Sequence, residues 1–182
     1  MAQFKKILVP TDFSENSEHA LVYAKAFSNV FGSFIDCLHV IDLGHNQIGP
    51  VEGVYVSSAD VHRSVQMIES HAREQMAHLA KKEHFLGLEM ATHQRRGNGP
   101  EEIVKAAQEF GSDLIMIATH GRGGLERFLF GSTCDKVVRL SSVPVLSLKP
   151  QEREFVKADG SIQLKTILCP MDFSDFSRSA LP

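Results

Sequence analysis

The chain has 182 residues, of which 43% are hydrophobic and 23% charged, so it can bury a core and is neither disordered nor fibrous. This length allows one domain of ordinary size plus a remainder. A net charge of -3 excludes the basic excess typical of a nucleic-acid platform, and no apolar run approaches the roughly 20 residues that cross a bilayer. Cys37, Cys134 and Cys169 are widely separated and form no CxxC pair, which favours a reduced, cytoplasmic setting over a disulfide framework or a zinc site.

Strand and helix patterns alternate along the first 149 residues. The predicted strands are Lys6–Val9, Phe34–Ile41, Leu86–His93, Leu114–Ala118 and Val143–Leu148. The first predicted helix follows Asp12 and Ser14, which can cap it. The other predicted helices run over Ala59–Glu83, from Pro100 to Phe110, and from Gly131-Ser132 onward. This alternation predicts an α/β fold, a five-stranded, mostly parallel sheet with helices on both faces.

The order of these elements also predicts where a ligand and a partner would bind. In such sheets ligands lie beyond the carboxyl ends of the strands, so the segments after Val9, Val40 and Ala118 are the candidates. Residues 42–58 are too long for a routine connection and are expected to form a lid or binding loop. Pro144 places the last strand at an edge, and its apolar character predicts a homodimer through Val143–Leu148.

A glycine-rich segment follows the fourth predicted strand. Gly121 comes directly after the strand, where a backbone without a side chain can approach a ligand. Ten residues later Gly131-Ser132-Thr133 begins a helix, and the unpaired N–H groups of a first turn suit a phosphate. The segment lacks the lysine of a Walker A motif and the third glycine of GxGxxG. Spacing alone therefore predicts an anion or nucleotide site, with a simple turn and helix cap as the alternative.

The end of the chain repeats its beginning. Residues 7–21 (ILVPTDFSENSEHAL) and 167–181 (ILCPMDFSDFSRSAL) share nine identities in fifteen positions, where chance would give about one. The charged segment that precedes the second copy, with Pro150 and Gly160, is typical of a linker. We expect residues 161–182 to be disordered or to be borrowed by a neighbouring molecule as an added strand.

The pieces ILVPTDFS, LHVID, GPEEIV, DLIMIATHGRGG, FGST and VPVLSLKP together resemble the universal stress protein family. The resemblance implies a flavodoxin/Rossmann-like fold similar to that of the adenine nucleotide alpha hydrolases. It also implies a complete domain over residues 1–149, a linker over 150–164, and the start of a second, incomplete domain over 165–182, as in tandem members.

The nucleotide-binding branch of that family carries glycine, two residues, glycine, nine residues, then glycine with Ser or Thr. Ala118, Gly121 and Gly131-Ser132 occupy those places here, with alanine instead of the first glycine. The resemblance implies ATP as the ligand, with AMP or ADP as alternatives, together with Mg. The residues that it implies are Pro10, Thr11 and Asp12 against the adenosine, Val40 at the adenine edge, Ala118, His120, Gly121 and Arg122 at the ribose and phosphates, and Gly131, Ser132 and Thr133 at the phosphate tail.

Two functions from different classes follow. The first is an ATP-binding regulatory module of the stress response, in which Asp12 accepts ribose hydroxyls or binds magnesium, a role compatible with capping a helix. The second, which Ala118 favours, is a dimeric stress-response interaction protein that binds no nucleotide. An enzyme is a third reading, limited to slow ATP hydrolysis, because the sequence shows no positioned nucleophile or general base. Cys134 is expected to pack in the core, and the histidines near the second helix do not have metal-ligand spacing.

Overall fold

The computed structural model describes residues 4–42, 58–119, 131–149, 154–157 and 159–179. Strands and helices alternate as β1 (Lys6–Pro10), α1 (Glu15–Phe31), β2 (Phe34–Ile41), α2 (Ser58–Ala80), β3 (Met90–Arg96), α3 (Gly99–Phe110), β4 (Leu114–Ala118), α4 (Ser132–Leu140) and β5 (Val145–Leu148). The five strands form one sheet in the order β3-β2-β1-β4-β5, and every pairing is parallel. The α/β fold predicted from the alternation is confirmed.

Each face of the sheet has its own layer of helices and its own core. Strand residues Ile7, Val9 and Met116 pack with α1 and α2 on one face, where Leu21 and Met76 are buried. Leu8 and Ile115, whose side chains point the other way, pack with α3 and α4. Strand side chains alternate between the faces with a period of two, so β1 from Ile7 onward and all of β4, at the centre of the sheet, are apolar.

The strand order reverses between β1 and β4. The chain moves outward through β2 to β3 and then returns past β1 to β4 and β5. The two crossovers on either side of this point place their helices on opposite faces, which leaves a crevice beyond the carboxyl ends of β1 and β4. The predicted ligand segments after Val9 and Ala118 lie at this reversal, and β5 is an edge strand as predicted from Pro144.

The bounds of β3 and α2 differ from those predicted. Residues Glu83–Phe85 form a 3-10 turn that buries Phe85, and Gly87 takes a positive φ of 79°. Helix α2 therefore ends at Ala80 instead of Glu83, and β3 runs over Met90–Arg96 instead of Leu86–His93. The prediction followed apolar residues, whereas an edge strand tolerates polar ones, so the true strand extends through Gln94, Arg95 and Arg96.

Smaller corrections concern the last strand and helix. Strand β5 begins at Val145, since Pro144 has no N–H to contribute and only its carbonyl joins the ladder, accepting from Ile115 at 2.9 Å. Of the apolar residues predicted on α4, Val137 is buried, whereas Val138 and Leu140 are 48% and 55% exposed.

The segment after β5 packs against the domain. Phe155 meets Tyr23 of α1 edge to face, with ring centroids 4.8 Å apart, and Val156 is buried and bridges antiparallel to Ile162. Part of the predicted linker is therefore attached to α1. Beyond it the second copy forms a four-residue helix, α5 (Asp175–Arg178), and its apolar residues Ile167 and Leu168 are 79% and 88% exposed.

None of the helices within the described ranges has the length and apolar character that a bilayer crossing requires.

Candidate functional site

The two ends of the glycine-rich segment meet at the carboxyl edge of the sheet. The N–H of Gly131 donates to the carbonyl of Thr119 at 2.5 Å, and the N–H of Thr119 donates to Leu148 of β5 at 2.9 Å. Thr119 is buried and directly follows β4. The first turn of α4 is thereby held against the end of β4, at the point where the strand order reverses.

Helix α4 begins without a side-chain cap. Gly131 is its N-cap residue and has no side chain to accept from the first-turn N–H groups, and its own carbonyl accepts from Asp135 at 3.0 Å. Ser132 and Thr133, which follow, are exposed. Uncapped N–H groups at the positive end of the helix dipole, with two hydroxyls beside them, form a surface that suits an anion.

The start of α4 forms one wall of the crevice at the carboxyl edge of the sheet, and the turn between β1 and α1 forms the other. Thr11 is buried, and its N–H donates to the Leu38 carbonyl of β2 at 2.8 Å. Its hydroxyl lies 3.0 Å from that of Ser17 and accepts from the N–H of Phe13 at 3.0 Å. Pro10 ends β1 and is buried. Thr11 is thus fixed to the sheet, to the turn and to α1 at once.

Asp12 stabilises the turn instead of capping the helix. Its Oδ1 accepts from the N–H of Ser14 at 3.1 Å and from the Ser14 hydroxyl at 2.5 Å. Ser14 is the N-cap of α1 and accepts from the N–H of Ser17 at 3.3 Å. The prediction that Ser14 caps α1 is confirmed, whereas Asp12 holds the capping residue in place through a turn of its own.

Phe13 adopts a left-handed backbone conformation with φ of 63°, unusual for a residue with a bulky side chain. Its ring lies against the His39 imidazole, with centroids 4.4 Å apart, and the Nδ1 of His39 is 2.8 Å from the Thr11 carbonyl oxygen. His39 precedes Val40 at the end of β2. The sequence analysis missed it, although its place in the segment LHVID beside Val40 was a usable signal.

Val40 faces the same crevice with its backbone. Leu38 points its carbonyl toward β1, and Ile41 points its carbonyl toward β3, where it accepts from Gly97. Backbone groups alternate sides along a strand, so Val40 shares the direction of Leu38. Strand β1 ends at Pro10, opposite Leu38. The N–H and C=O of Val40 therefore face the space above the β1–α1 turn.

Ala118 ends β4, pairs with Leu148 and is half-buried. Together with Pro10, Thr11, Asp12, Val40, Gly131, Ser132 and Thr133 it lies along the carboxyl edge of the sheet or on the turns that continue it. The other predicted residues, His120, Gly121 and Arg122, and most of the predicted 42–58 loop, fall outside the described residues.

The two buried cysteines, Cys37 and Cys134, have raised thiol pKa values. Burial raises the pKa of Cys37 to about 12. Burial, and then the charge of Asp135, raise the pKa of Cys134 to about 11, so its position in the first turn of α4 does not activate it. The prediction that Cys134 packs in the core is confirmed, at 1% exposure. Within the described ranges, no cluster of His, Cys, Asp and Glu is arranged to hold a metal ion.

Comparison with known proteins gives a consistent result. Residues 3–149 match the model of the universal stress protein family. Universal stress protein MJ0577 of Methanocaldococcus jannaschii is 33% identical over 154 residues, which cover 80% of this chain and 95% of that protein.

The solved structure of MJ0577 superposes with a TM-score of 0.71 and 31% identity over 83% of this chain and 99% of that one. A universal stress protein in complex with cAMP superposes with a TM-score of 0.51 over 81% of this chain and 98% of that one. At 17% identity the second likeness shows the fold alone. The family match and the shared sheet together establish that this chain belongs to the universal stress protein family.

Proposed function

We propose that this protein is an ATP-binding regulatory module of the stress response. The observation that carries the proposal is the uncapped start of α4, which the Gly131–Thr119 hydrogen bond holds at the reversal of strand order. Backbone N–H groups at such a place bind phosphate without a lysine, because the helix dipole and the unpaired donors supply the attraction. This agrees with the absence of a Walker A lysine in the sequence.

In this proposal, the candidate residues on the two walls of the crevice contact different parts of the nucleotide. In the proposal Pro10, Thr11 and Asp12 lie against the adenosine, the backbone of Val40 meets the adenine edge, and Ala118, His120, Gly121 and Arg122 line the ribose and phosphates. Gly131, Ser132 and Thr133 hold the phosphate tail. Support for the adenine side comes from the Val40 backbone, which points toward the β1–α1 turn.

A magnesium ion would accompany the phosphates and offset their charge. Asp12 supplies a carboxylate at this edge, and the chemistry of a hard cation fits an oxygen ligand of this kind. The Oδ1 of Asp12 accepts two bonds from Ser14, which hold the carboxylate in place beside the proposed ribose hydroxyls or magnesium.

The relative in complex with cAMP shows that a protein of this fold can hold an adenine nucleotide. Nucleotide binding would stabilise the arrangement of the 42–58 loop and of the dimer that contacts the nucleotide.

Support for the homodimer comes from β5, an edge strand whose residues Val145 and Leu146 remain partly exposed. The buried, unpaired Cys37 and Cys134 are consistent with the cytoplasm as the location.

Calorimetry with ATP and magnesium on protein stripped of ligand tests the proposal. A graded pair of variants, Gly131→Ala and Gly131→Leu, probes the phosphate wall. Gly131 has φ of -68°, so neither side chain strains the backbone. We expect Gly131→Leu to weaken binding at least about tenfold by blocking the first turn, and Gly131→Ala to weaken it less. No heat with wild-type protein at millimolar ATP would end the proposal.

One observation favours a second function, a dimeric interaction protein that binds no nucleotide. Ala118 places a methyl group where the nucleotide-binding branch has glycine. Under this alternative Gly131→Leu leaves the protein's behaviour nearly unchanged, because no ligand approaches the first turn of α4.

For the domain organisation, we propose one universal stress domain over residues 1–149, a linker over 150–164 and the start of a second domain over 165–182. Support comes from the local structure of the repeat. Phe173 has φ of 64°, as Phe13 has 63°, and Ser174 caps α5 as Ser14 caps α1. Asp172 accepts from the N–H of Ser174 at 2.9 Å, in the same way that Asp12 accepts from Ser14.

A further inference from the structure

We propose that His39 is a positioning residue of the nucleotide site, which fixes the β1–α1 turn at the place and angle from which it meets the adenosine. The inference rests on the function proposed above and adds a residue to it. His39 is half-buried, and it contacts the turn through a hydrogen bond and through its ring.

The first contact is a hydrogen bond whose direction is fixed by chemistry. The Nδ1 of His39 lies 2.8 Å from the Thr11 carbonyl oxygen. A carbonyl oxygen only accepts, so Nδ1 carries the proton and donates. Thr11 also donates its own N–H to Leu38, so both of its backbone groups are bound to β2.

Binding Thr11 in this way directs the next peptide. The peptide between Thr11 and Asp12 is trans, because no cis peptide occurs among the described residues. In a trans peptide the C=O and the following N–H point in opposite directions. Because the Thr11 carbonyl points at His39 on β2, the Asp12 N–H points away from β2, toward the side on which β4 lies.

The second contact holds the strained residue of the turn. The Phe13 ring lies on the His39 imidazole at 4.4 Å, with the planes tilted by 35°. His39 therefore contacts the residues on both sides of Asp12. Val40, whose backbone is proposed to contact adenine, is the next residue along β2. His39 therefore connects the β1–α1 turn with the backbone of the proposed adenine site.

The repeat provides an internal comparison for this role. The Asp172–Phe173–Ser174 turn has nearly the same φ at its phenylalanine and the corresponding hydrogen bonds from Ser174 to Asp172 and from Ser177 to Ser174, although Phe173 is exposed. The shape of the turn is thus local in origin and needs no histidine. What His39 adds in the first copy is the location of the turn relative to the sheet, and we expect its loss to move the turn without unfolding it.

Variants of His39 separate the hydrogen bond from the ring contact. His39→Phe keeps a ring against Phe13 and removes the donor. His39→Asn places an amide N–H near the position of Nδ1, and His39→Gln places it near the position of Nε2. His71→Phe, at an exposed histidine on α2, is the matched control. Binding of ATP with magnesium is measured by calorimetry for each variant.

We expect His39→Phe and His39→Gln to bind ATP about fivefold to tenfold more weakly, the cost of one lost hydrogen bond, and His39→Asn and His71→Phe to stay within about threefold of wild type. Equal affinity for His39→Phe and wild type would overturn the proposal. So would equal losses for His39→Asn and His39→Gln, because a merely structural histidine gives no preference for the Nδ1 position.

A second measurement is independent of nucleotide. In amide NMR spectra without ligand, the Asp12 and Phe13 resonances should shift in His39→Phe and return near their wild-type positions in His39→Asn, while Ser174 serves as an unshifted reference. If these shifts occur but wild-type protein binds no ATP, the positioning role stands and the proposed function fails. If Asp12 and Phe13 do not shift, the positioning role is wrong whatever the affinity.

Discussion

At the scale of single residues, the crevice is shaped by small differences in side-chain volume. Ala118 ends β4 at the reversal of strand order and carries a methyl group where the nucleotide-binding branch of the family has none. Gly131, across the hydrogen bond to Thr119, has no side chain at all. In the proposed site Gly131 would leave room for the phosphates, whereas Ala118 would add one methyl group beside the ribose.

Replacing Ala118 by glycine should therefore strengthen ATP binding by about fivefold, because a methyl group that overpacks a close-packed site costs about 1 kcal/mol or more. The free energy of unfolding should fall by about 0.5–1 kcal/mol, because glycine weakens a strand. Calorimetry and chemical denaturation measure the two effects. Ala91→Gly in β3 is the control, and it should lower the free energy of unfolding without changing the affinity for ATP. Unchanged affinity in Ala118→Gly would show that the methyl group does not face the ligand.

Thiol reactivity should distinguish the three cysteines. Cys37 and Cys134 are buried with pKa values raised to about 12 and about 11, and Cys169 is exposed. An aromatic disulfide reagent near neutral pH should modify one thiol in the folded protein and three in guanidinium. Cys169→Ser should abolish the fast reaction. Rapid labelling of Cys134 would contradict the assignment and indicate that the start of α4 activates the thiol.

At the scale of elements, the turn with the sequence Asp-Phe-Ser forms twice, with corresponding hydrogen bonds among its Asp and Ser residues. Ser17 donates its hydroxyl to the Ser14 carbonyl at 2.9 Å, and Ser177 donates to Ser174 at 3.1 Å. The first copy lies on a sheet, while Phe173 in the second is 73% exposed. Side-chain bonds within a few residues are therefore enough to define the turn.

The pKa of Asp172 should report how strongly the hydrogen bonds of this turn favour its carboxylate form. Hydrogen bonds from the side chain and N–H of Ser174, and then from Ser177, lower the pKa of Asp172 from 3.8 to about 2. Since the bonds favour the carboxylate, the turn is stabilised at pH values above the ordinary pKa and loses this support as pH falls through about 2. Carbon NMR of the carboxyl group should find that midpoint.

Ser174→Ala should return the Asp172 midpoint toward its ordinary value, whereas Ser179→Ala, outside the turn, should leave it near that of wild type. An ordinary pKa for Asp172 in the wild-type protein would mean that the repeat does not form the turn in solution.

The packed part of the linker should contribute to stability. Phe155 contacts Tyr23 of α1, and Val156 is 8% exposed. Phe155→Ala should lower the free energy of unfolding by about 1–2 kcal/mol, through lost burial and an aromatic contact. Leu164→Ala, at a residue 56% exposed, should cost less than about 0.5 kcal/mol. Equal, small effects in a denaturant titration would show that the segment is detached from α1.

At the scale of the whole molecule, the sheet has two edges of different character. Strand β3 carries polar residues such as Gln94 and Arg95 at one edge, and β5 is short and apolar at the other. The carbonyls of Pro144 and Leu148 accept from β4, so backbone alternation points the N–H of Val145 and Ser147 outward. An outward row of donors on an apolar edge is what a symmetric partner would pair with.

Proline substitutions at two positions of β5 should distinguish residues that the proposed dimer needs from residues that the fold needs. Ser147→Pro removes an outward N–H and should convert the proposed dimer to a monomer, with the fold retained. Leu146→Pro removes an N–H on the β4 side of the strand and should destabilise the domain by about 3 kcal/mol or more. Sedimentation and thermal melting distinguish the two results. A dimer that persists in Ser147→Pro would place the interface elsewhere.

Much of this architecture was predictable, and the exceptions have identifiable causes. Strands β2 and β4 were predicted with their observed bounds, because both are rich in apolar residues and lie inside a sheet that is buried on both faces. Strand β3 was misplaced because it lies at an edge, where polar residues are as acceptable as apolar ones. The role of His39 was missed, because its contacts with Thr11 and Phe13 join segments distant in the chain, although its place beside Val40 in LHVID was a signal.

The sequence by itself determined the α/β class, the family resemblance, the duplicated turn and the start of α4, because each depends on residues close together in the chain. Only the tertiary structure decided that Gly131 bonds to Thr119, that His39 holds Thr11, and that residues 154–157 lie on α1. These contacts join segments that are distant in the sequence. Their partners are set by strand order and register, which local preferences do not encode.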